Sequence, residues 1–357
     1  MLTLMTVFYG DSSLYKLELF GSILSAFSMA AENEIEIVIY TDSDLSDFPF
    51  PVTTYSIEKA QKASMQDGQI DTHLVKTCCL VEALDKLARP FIYFDTDIFF
   101  NVSPAQLFAK ISDTDVLMHA TEMLISELPS WDKLRDHIEN QLEPNDFGLN
   151  SQSMMHNSGI IGLTPTHKSA IDRSVELAKN LYKVVPMFTI EQFSTGVMLS
   201  ASSKMHTCEE EVFHYWGWQR EFIHIELQRF RDKHRHSSSK EIIQAYRDHP
   251  IKRDPINIID RLATTIKSRF NGWVGNYRWA YLLYLSALRR GINDREMANA
   301  LYQRCIAALL QSKLDNEGFV GQSGFKKDFK RLFESQGSVS KWIDGNLNDE
   351  MNKLASQ

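Results

Sequence analysis

Phe91-Ile92-Tyr93-Phe94-Asp95-Thr96-Asp97-Ile98-Phe99-Phe100 decides how the rest of the chain is read. Its first four residues are apolar without interruption, as a strand covered on both faces requires, and Asp95 halts the run. Two carboxylates two positions apart in extended chain project to the same side, so Asp95 and Asp97 are delivered together at a sheet edge. Hard oxygen ligands so arranged suit Mg²⁺ or Mn²⁺, which can in turn bridge phosphate oxygens. Acidic pairs also occur in plain loops, and the flanking apolar pattern is what raises this one above that reading.

Working outward, Leu4 to Tyr9 is a short apolar run closed by Gly10-Asp11, after which Leu14, Leu17, Phe20, Leu24 and Phe27 recur at helical spacing. Ile35 to Tyr40 is a second strand, stopped by Thr41-Asp42-Ser43-Asp44, and a helix is expected from about His73 to Leu87. This β-α-β-α-β order predicts an α/β fold with a largely parallel, doubly wound sheet, whose ligands bind beyond the carboxyl ends of the strands. Asp11, Asp42 and Asp95 all fall at such ends. From Glu209 onward the pattern turns to long helical segments, with a charged stretch from Arg229 to His236 and a Ser237-Ser238-Ser239 break. The chain therefore divides into a body, residues 1–220, and a predominantly helical appendage, residues 221–357.

Composition sets the class. The 357 residues are 43% hydrophobic and 24% charged, an ordinary globular balance with length for one large domain and a smaller one. No apolar run approaches the roughly 18 residues of a spanning helix, and the first 30 residues lack a basic start and a small-residue cleavage site, so a cytoplasmic protein is expected. Cys78, Cys79, Cys208 and Cys305 have neither zinc-site spacing nor disulfide density, and reduced, mostly buried thiols are expected. The net charge of -8 hides an asymmetry: residues 1–220 hold 15 Lys and Arg against 30 Asp and Glu, and residues 221–357 hold 23 against 16. The cluster Arg229-Phe230-Arg231-Asp232-Lys233-His234-Arg235-His236 is basic, but it carries no reading motif in a chain of pI 5.8. Nucleic acid is excluded as a partner, and His234 and His236 are read as solvated surface.

Three further pieces follow in order: His156-Asn157-Ser158-Gly159-Ile160-Ile161, Glu191-Gln192, and Val212-Phe213-His214-Tyr215-Trp216-Gly217-Trp218-Gln219-Arg220. With Asp95-Thr96-Asp97 they resemble, in the family's own order, the motifs of the retaining glycosyltransferases of family eight, the glycogenin and bacterial lipopolysaccharide galactosyltransferase type. The resemblance spans roughly residues 1–220. It implies a GT-A nucleotide-diphospho-sugar transferase fold, a UDP-sugar donor, and transfer with retention to a glycan, lipid-linked or protein acceptor. Carried over residue by residue, it makes Asp95 a ribose and metal contact, and Asp97 and His214 direct ligands of Mn²⁺ or Mg²⁺. Asn157 stands near the acceptor or donor sugar, Gln192 near the anomeric carbon, and Glu191 at the donor hydroxyls. Arg220 takes the place of a lysine that contacts the diphosphate; a planar fork there still serves phosphate. Glu191 departs from the family's aspartate. Tyr9-Gly10-Asp11 with Tyr15 matches the first-strand signature loosely; Tyr9, Asp11, Thr96 and Gly217 complete the donor-binding set, and Lys76 joins it by position.

Duller readings stand beside these. His214 among Phe213, Tyr215 and Trp216 also reads as a core histidine, Asn157-Ser158-Gly159 as an ordinary strand entry, and Glu191 as a helix-start carboxylate near Thr189. A phosphohydrolase of the haloacid dehalogenase kind shares Asp-x-Asp, but its motif continues with Thr or Val where this chain has Phe99. A nucleotidyltransferase wants a glycine-rich loop where Tyr9-Gly10-Asp11-Ser12 has one glycine, and a non-catalytic binding protein on the same fold is expected to lose metal ligands that this chain keeps. Gln192 cannot act as a base, which favours retention, while Glu191 leaves a double displacement or inversion open. Finally, Arg269-Phe270-Asn271-Gly272-Trp273 and Tyr277 to Tyr284, closing on Arg289-Arg290, mix aromatic and basic residues as an interfacial helix does. Residues 269–290 are therefore a candidate peripheral contact at the inner face of a membrane. The same aromatic residues at helical spacing also suit packing against neighbouring helices.

Overall fold

A computed structural model describes residues 1–58, 62, 74–141, 151–187, 189–251, 256–271 and 275–314. The sheet is built from β1 (Leu2–Phe8), β2 (Ile35–Thr41), β3 (Thr53–Ser56), β4 (Phe91–Phe94), β6 (Asp115–Leu124), β7 (Met154–Leu163) and β8 (Lys204–Thr207). Its order is β3-β2-β1-β4-β7-β6-β8. Every pairing is parallel except those of β7 with β4 and β6, so β7 alone runs against the rest. This is the mostly parallel, doubly wound sheet that the strand-helix alternation predicts.

The continuous apolar character of these strands has a direct cause. Alternate residues feed two cores on opposite faces. Leu4, Phe8, Ile37, Ile39, Ile92 and Phe94 pack with Leu17, Phe20 and Leu24 of α1 (Ser13–Met29). Met5, Val7, Val38, Tyr40, Phe91 and Tyr93 pack with Val75, Cys79, Leu80 and Ala83 of α2 (Leu74–Leu87). Each Leu, Ile, Val, Met or Phe side chain among them, fully buried, contributes about 1.5–3 kcal/mol.

A second, two-stranded ribbon positions the chemistry. β5 (Ile98–Phe100) pairs antiparallel with β9 (Val212–His214), with Ile98 opposite His214, and the Tyr215 amide donates to the Asp97 carbonyl at 3.1 Å. Residues beyond Glu209 were expected to be helical; β9 is too short a strand to show a period of its own. The helices α3 (Pro104–Phe108), α4 (Trp131–Gln141), α5 (Lys168–Tyr182) and α6 (Ile190–Ser202) follow the strands.

The chain forms two compact units, Met1–Ile251 and Lys252–Gln357, so the division drawn at residue 220 moves. Beyond it, α7 (Arg220–Lys233) and α8 (Ser239–Asp248) belong to the first unit, because Ile223, Leu227, Ile242 and Tyr246 complete the core on the α1 face. The Ser237-Ser238-Ser239 break is the start of α8, where Ser238 and Glu241 form a capping box. The second unit holds α9 (Ile258–Asn271), α10 (Gly275–Arg290) and α11 (Arg295–Leu314). All four cysteines are free, and three of them are buried. Among the described residues, no helix is long and apolar enough to cross a membrane.

Candidate active site

The carboxyl ends of β1 and β4 open on a cleft of about 830 Å³. It gathers Tyr9, Lys76, Asp95, Thr96, Asp97, Asn157, Glu191, Gln192, His214, Gly217 and Arg220, which is the whole set nominated from the sequence as catalytic, donor-binding or metal-ligating except Asp11. Asp11 is exposed and lies outside the lining. Gly10, at φ 85°, turns the chain there, and the residue that holds the turn is Asp42, whose Oδ1 accepts from the Gly10 amide at 2.8 Å while Oδ2 accepts from Lys62 at 2.8 Å.

Asp95, Asp97 and His214 converge so that one ligand atom of each lies within 4.8 Å of the others. The ribbon register puts His214 Nε2 3.2 Å from Asp97 Oδ1. Burial pushes the His214 imidazole down in pKa, but the Asp97 hydrogen bond and the charges of Asp97 and Asp95 outweigh it and hold it above its ordinary value. Gly159 lets the ring sit there: a Cβ at this position would lie 2.7 Å from His214 Cε1 and 2.8 Å from Nδ1. That glycine is brought beside Asp95 because Phe94 pairs with Ile160 and the Asp95 amide donates to the Gly159 carbonyl at 2.8 Å. His119 stacks edge-on at 5.1 Å and is held by the Val212 carbonyl. Two carboxylates and an imidazole meeting at one point are a donor set that fits a divalent cation, and the imidazole favours Mn²⁺ over Mg²⁺.

Behind this group lies a buried cation. Lys76 Nζ donates to Ser158 Oγ at 2.8 Å and pairs with Glu191 Oε2 at 3.2 Å and Asp95 Oδ1 at 3.9 Å. Burial pushes its pKa down, yet Asp95 and Glu191 more than restore it, so the ammonium stays charged. Glu191 is itself buried, in the first turn of α6, and its Oε1 accepts from Thr77 at 3.0 Å and Thr195 at 3.5 Å. Both of its oxygens are thus engaged by the chain's own donors. Tyr93 donates its hydroxyl to Asp95 Oδ1, orienting that carboxylate from below.

Two carboxylates at the site carry no signal in the sequence. Glu122 Oε1 accepts from Asn157 Nδ2 at 2.8 Å and its Oε2 from Gln192 Nε2 at 2.7 Å. It sits where β6 slips register against β7, between Thr121 and Met123, and such slips re-aim side chains. Glu18, fully buried on α1, accepts from Arg220 through Nε and from Nη2 at 2.8 Å, and from His224 Nε2 at 2.6 Å. Burial alone would raise the Glu18 pKa; the hydrogen bonds and charges of Arg220 and His224 prevail and hold it below the usual carboxylate range. Arg220 is further stacked under Tyr15, 5.1 Å from the ring, and reaches to 4.0 Å from Asp97. Gly217, at φ 81°, makes the turn that carries the chain from β9 to α7, with Trp216 exposed at the mouth of the cleft.

No family model matches the chain. Nor does any curated protein. Among solved structures the chain is similar to mouse xyloside xylosyltransferase 1 in its apo form, at 12% identity and TM-score 0.39, over 58% of this chain and 84% of that one. It is similar to the galactosyltransferase LgtC in complex with donor and acceptor sugar analogs, at 10% identity and TM-score 0.45, over 68% of this chain and 96% of that one. It is also similar to the glycosyltransferase GlyE of Streptococcus pneumoniae TIGR4, at 8% identity and TM-score 0.41, over 68% of this chain and 62% of that one.

Proposed function

We propose that this chain is a metal-dependent GT-A glycosyltransferase that moves a sugar from a nucleotide-diphosphate donor, UDP-linked, to an acceptor with retention of configuration. The observation that carries the reading is the convergence of Asp95, Asp97 and His214 with a clamped Arg220 on one side and the Asn157–Glu122–Gln192 cluster on the other. Breaking the bond between an anomeric carbon and a diphosphate costs most where charge builds on the leaving oxygens. Held by Asp95, Asp97 and His214, a Mn²⁺ or Mg²⁺ ion would supply Lewis acidity worth several kcal/mol. Arg220 meets the same charge with guanidinium N–H groups whose direction Glu18 and Tyr15 fix beforehand. Tyr9 and Thr96 border the nucleotide side, Gly217 leaves its backbone open to the phosphates, and Lys76 keeps Asp95 and Glu191 aligned.

On the sugar side Gln192 offers an amide, which cannot take a proton, and this favours retention. Glu191 was the candidate for a double displacement; with its oxygens engaged by Lys76, Thr77 and Thr195 it reads as the support of Lys76. Glu122 also has each oxygen held by an amide, but unlike the buried Glu191 it is exposed in the cleft, and its remaining lone pairs would accept from a sugar hydroxyl. The reading sets the reaction in the cytoplasm, on the unit Met1–Ile251.

The test is a screen of nucleotide-sugars for Mn²⁺-dependent hydrolysis with no acceptor present. Turnover of a UDP-sugar, lost in EDTA and reduced at least about 10²-fold in Asp97→Ala and His214→Ala, is the expected result. Full activity of either variant in excess EDTA sinks the proposal.

A further inference from the structure

The second unit contains a helix whose two faces are exchanged. On α9 the side chains turned inward are Asp260, Thr264 and Ser268, all nearly inaccessible, while Ile258, Ile259, Leu262 and Ile266 are 71%, 55%, 58% and 57% exposed. Their spacing places the four on one stripe of the helix. A helix that merely packed on its neighbours would be rotated the other way.

The rotation is held in place by α10. Asp260 accepts from Arg289 through Nε at 2.9 Å and Nη2 at 2.7 Å, and from Ser286 Oγ at 3.2 Å. Turning the isoleucines inward would pull that carboxylate off its bidentate partner and out of its buried seat, which is costly. The polar side of α9 is thus the anchored one and the apolar side is left facing solvent.

The surface around the stripe is basic. Arg261, Lys267 and Arg269 on α9 and Arg278 on α10 are all exposed, and the only acidic residue of α9 is the buried Asp260. Over residues 256–271 and 275–314 there are nine Lys and Arg against three Asp and Glu, and of those three Asp260 and Asp294 are ion-paired with Arg289 and Arg290. A second copy of the chain would bring like charges together around a shared apolar seam. An anionic lipid bilayer satisfies both features: branched aliphatic side chains enter the boundary between headgroups and acyl chains, and arginines meet lipid phosphates.

We propose that α9 is a peripheral membrane-docking helix, which lays Ile258, Ile259, Leu262 and Ile266 into an anionic bilayer. The surface differs from the aromatic stretch that the sequence nominates. Within residues 269–290, Trp273 lies outside the described residues, as does the Tyr277 side chain; Tyr284 is buried against Tyr302 of α11; and Arg289 and Arg290 are spent on ion pairs. The docking proposal stands apart from the catalytic reading, since neither the helix nor its test involves the cleft.

The test is flotation of the full chain with vesicles of phosphatidylglycerol and phosphatidylcholine, and with phosphatidylcholine alone. The expected result is co-flotation with the anionic vesicles at low salt, weakened as salt is raised. Leu262→Glu with Ile266→Glu should reduce it at least tenfold. Ile258→Ala with Ile259→Ala, which favours the helix intrinsically, should reduce it severalfold with an unchanged circular dichroism spectrum. Failure of the full chain to float with anionic vesicles at low salt overturns the proposal. So does equal flotation of the Leu262→Glu/Ile266→Glu variant, or a dimer in analytical ultracentrifugation that this variant dissolves.

Discussion

Gly159→Ala isolates the support of the candidate metal group from the proposed ligands Asp95, Asp97 and His214 themselves. The added Cβ would stand 2.7 Å from His214 Cε1, 2.8 Å from Nδ1 and 3.0 Å from Asn157 Oδ1. Carbon pairs settle near 3.5–4.0 Å, so the imidazole must retreat by roughly 0.8 Å or more. It cannot do so freely, because His119 lies edge-on against it and the β5–β9 ribbon fixes its backbone. The overpacking should cost about 1–3 kcal/mol in stability. A ligand atom displaced by most of an ångström should also weaken Mn²⁺ binding by about 10- to 100-fold, or about 1.4–2.7 kcal/mol. Gly196→Ala on α6 is the internal control: its Cβ meets nothing closer than 3.7 Å, and exchanging a helical glycine for alanine gains about 0.5–1 kcal/mol. Urea unfolding gives the stability, and calorimetric titration with Mn²⁺ gives the affinity. If Gly159→Ala binds Mn²⁺ within twofold of the parent while remaining as stable as Gly196→Ala, the imidazole does not lie over Gly159 and the proposed metal geometry is wrong.

The buried Glu18–Arg220–His224 cluster predicts an acid limb in stability. A carboxylate held below its ordinary pKa in the folded state contributes fully above the ordinary value and loses that contribution as pH falls through the folded one. Arg220→Ala should cost about 3–5 kcal/mol at neutral pH. Glu18→Gln should flatten the dependence of stability on pH below the ordinary glutamate range, and an unchanged acid limb in the Gln variant refutes the pairing. On the sugar side, Gln192→Ala and Glu122→Ala should each lower kcat more than they raise KM. Their double variant should fall well short of additivity, because one hydrogen bond joins the two side chains. Proton NMR of the first-formed product should show a retained anomer; an inverted one removes the retaining assignment.

What was legible in the sequence is what repeats or touches locally. The strands β1, β2 and β4 announce themselves because residues alternating between two cores must all be apolar, and Asp95, Asp97, His214 and Gln192 stand in short motifs that carry their own neighbours with them. Asp11 shows the limit of that reasoning: it does follow a strand, but the left-handed turn at Gly10 carries it clear of the cleft lining. The division at residue 220 followed the turn to long helical segments and the reach of the motifs, whereas Ile223, Leu227 and Tyr246 belong to the core of the first unit. Glu18 fails to register for a related reason. Between Leu17 and Leu19 on a helix, a glutamate reads as one more solvated charge, and it is made tolerable inside only by an arginine 202 residues away. Glu122 likewise depends on a register slip that no local pattern encodes. The two carboxylates share one property: each is meaningful only through a partner on a distant element. Lys76 and Glu191 are buried and paired as well, but a position and a motif pointed to them; a clamped charge that neither singles out is missed, because the cost of misplacing it falls on the tertiary pairing and leaves the local pattern untouched.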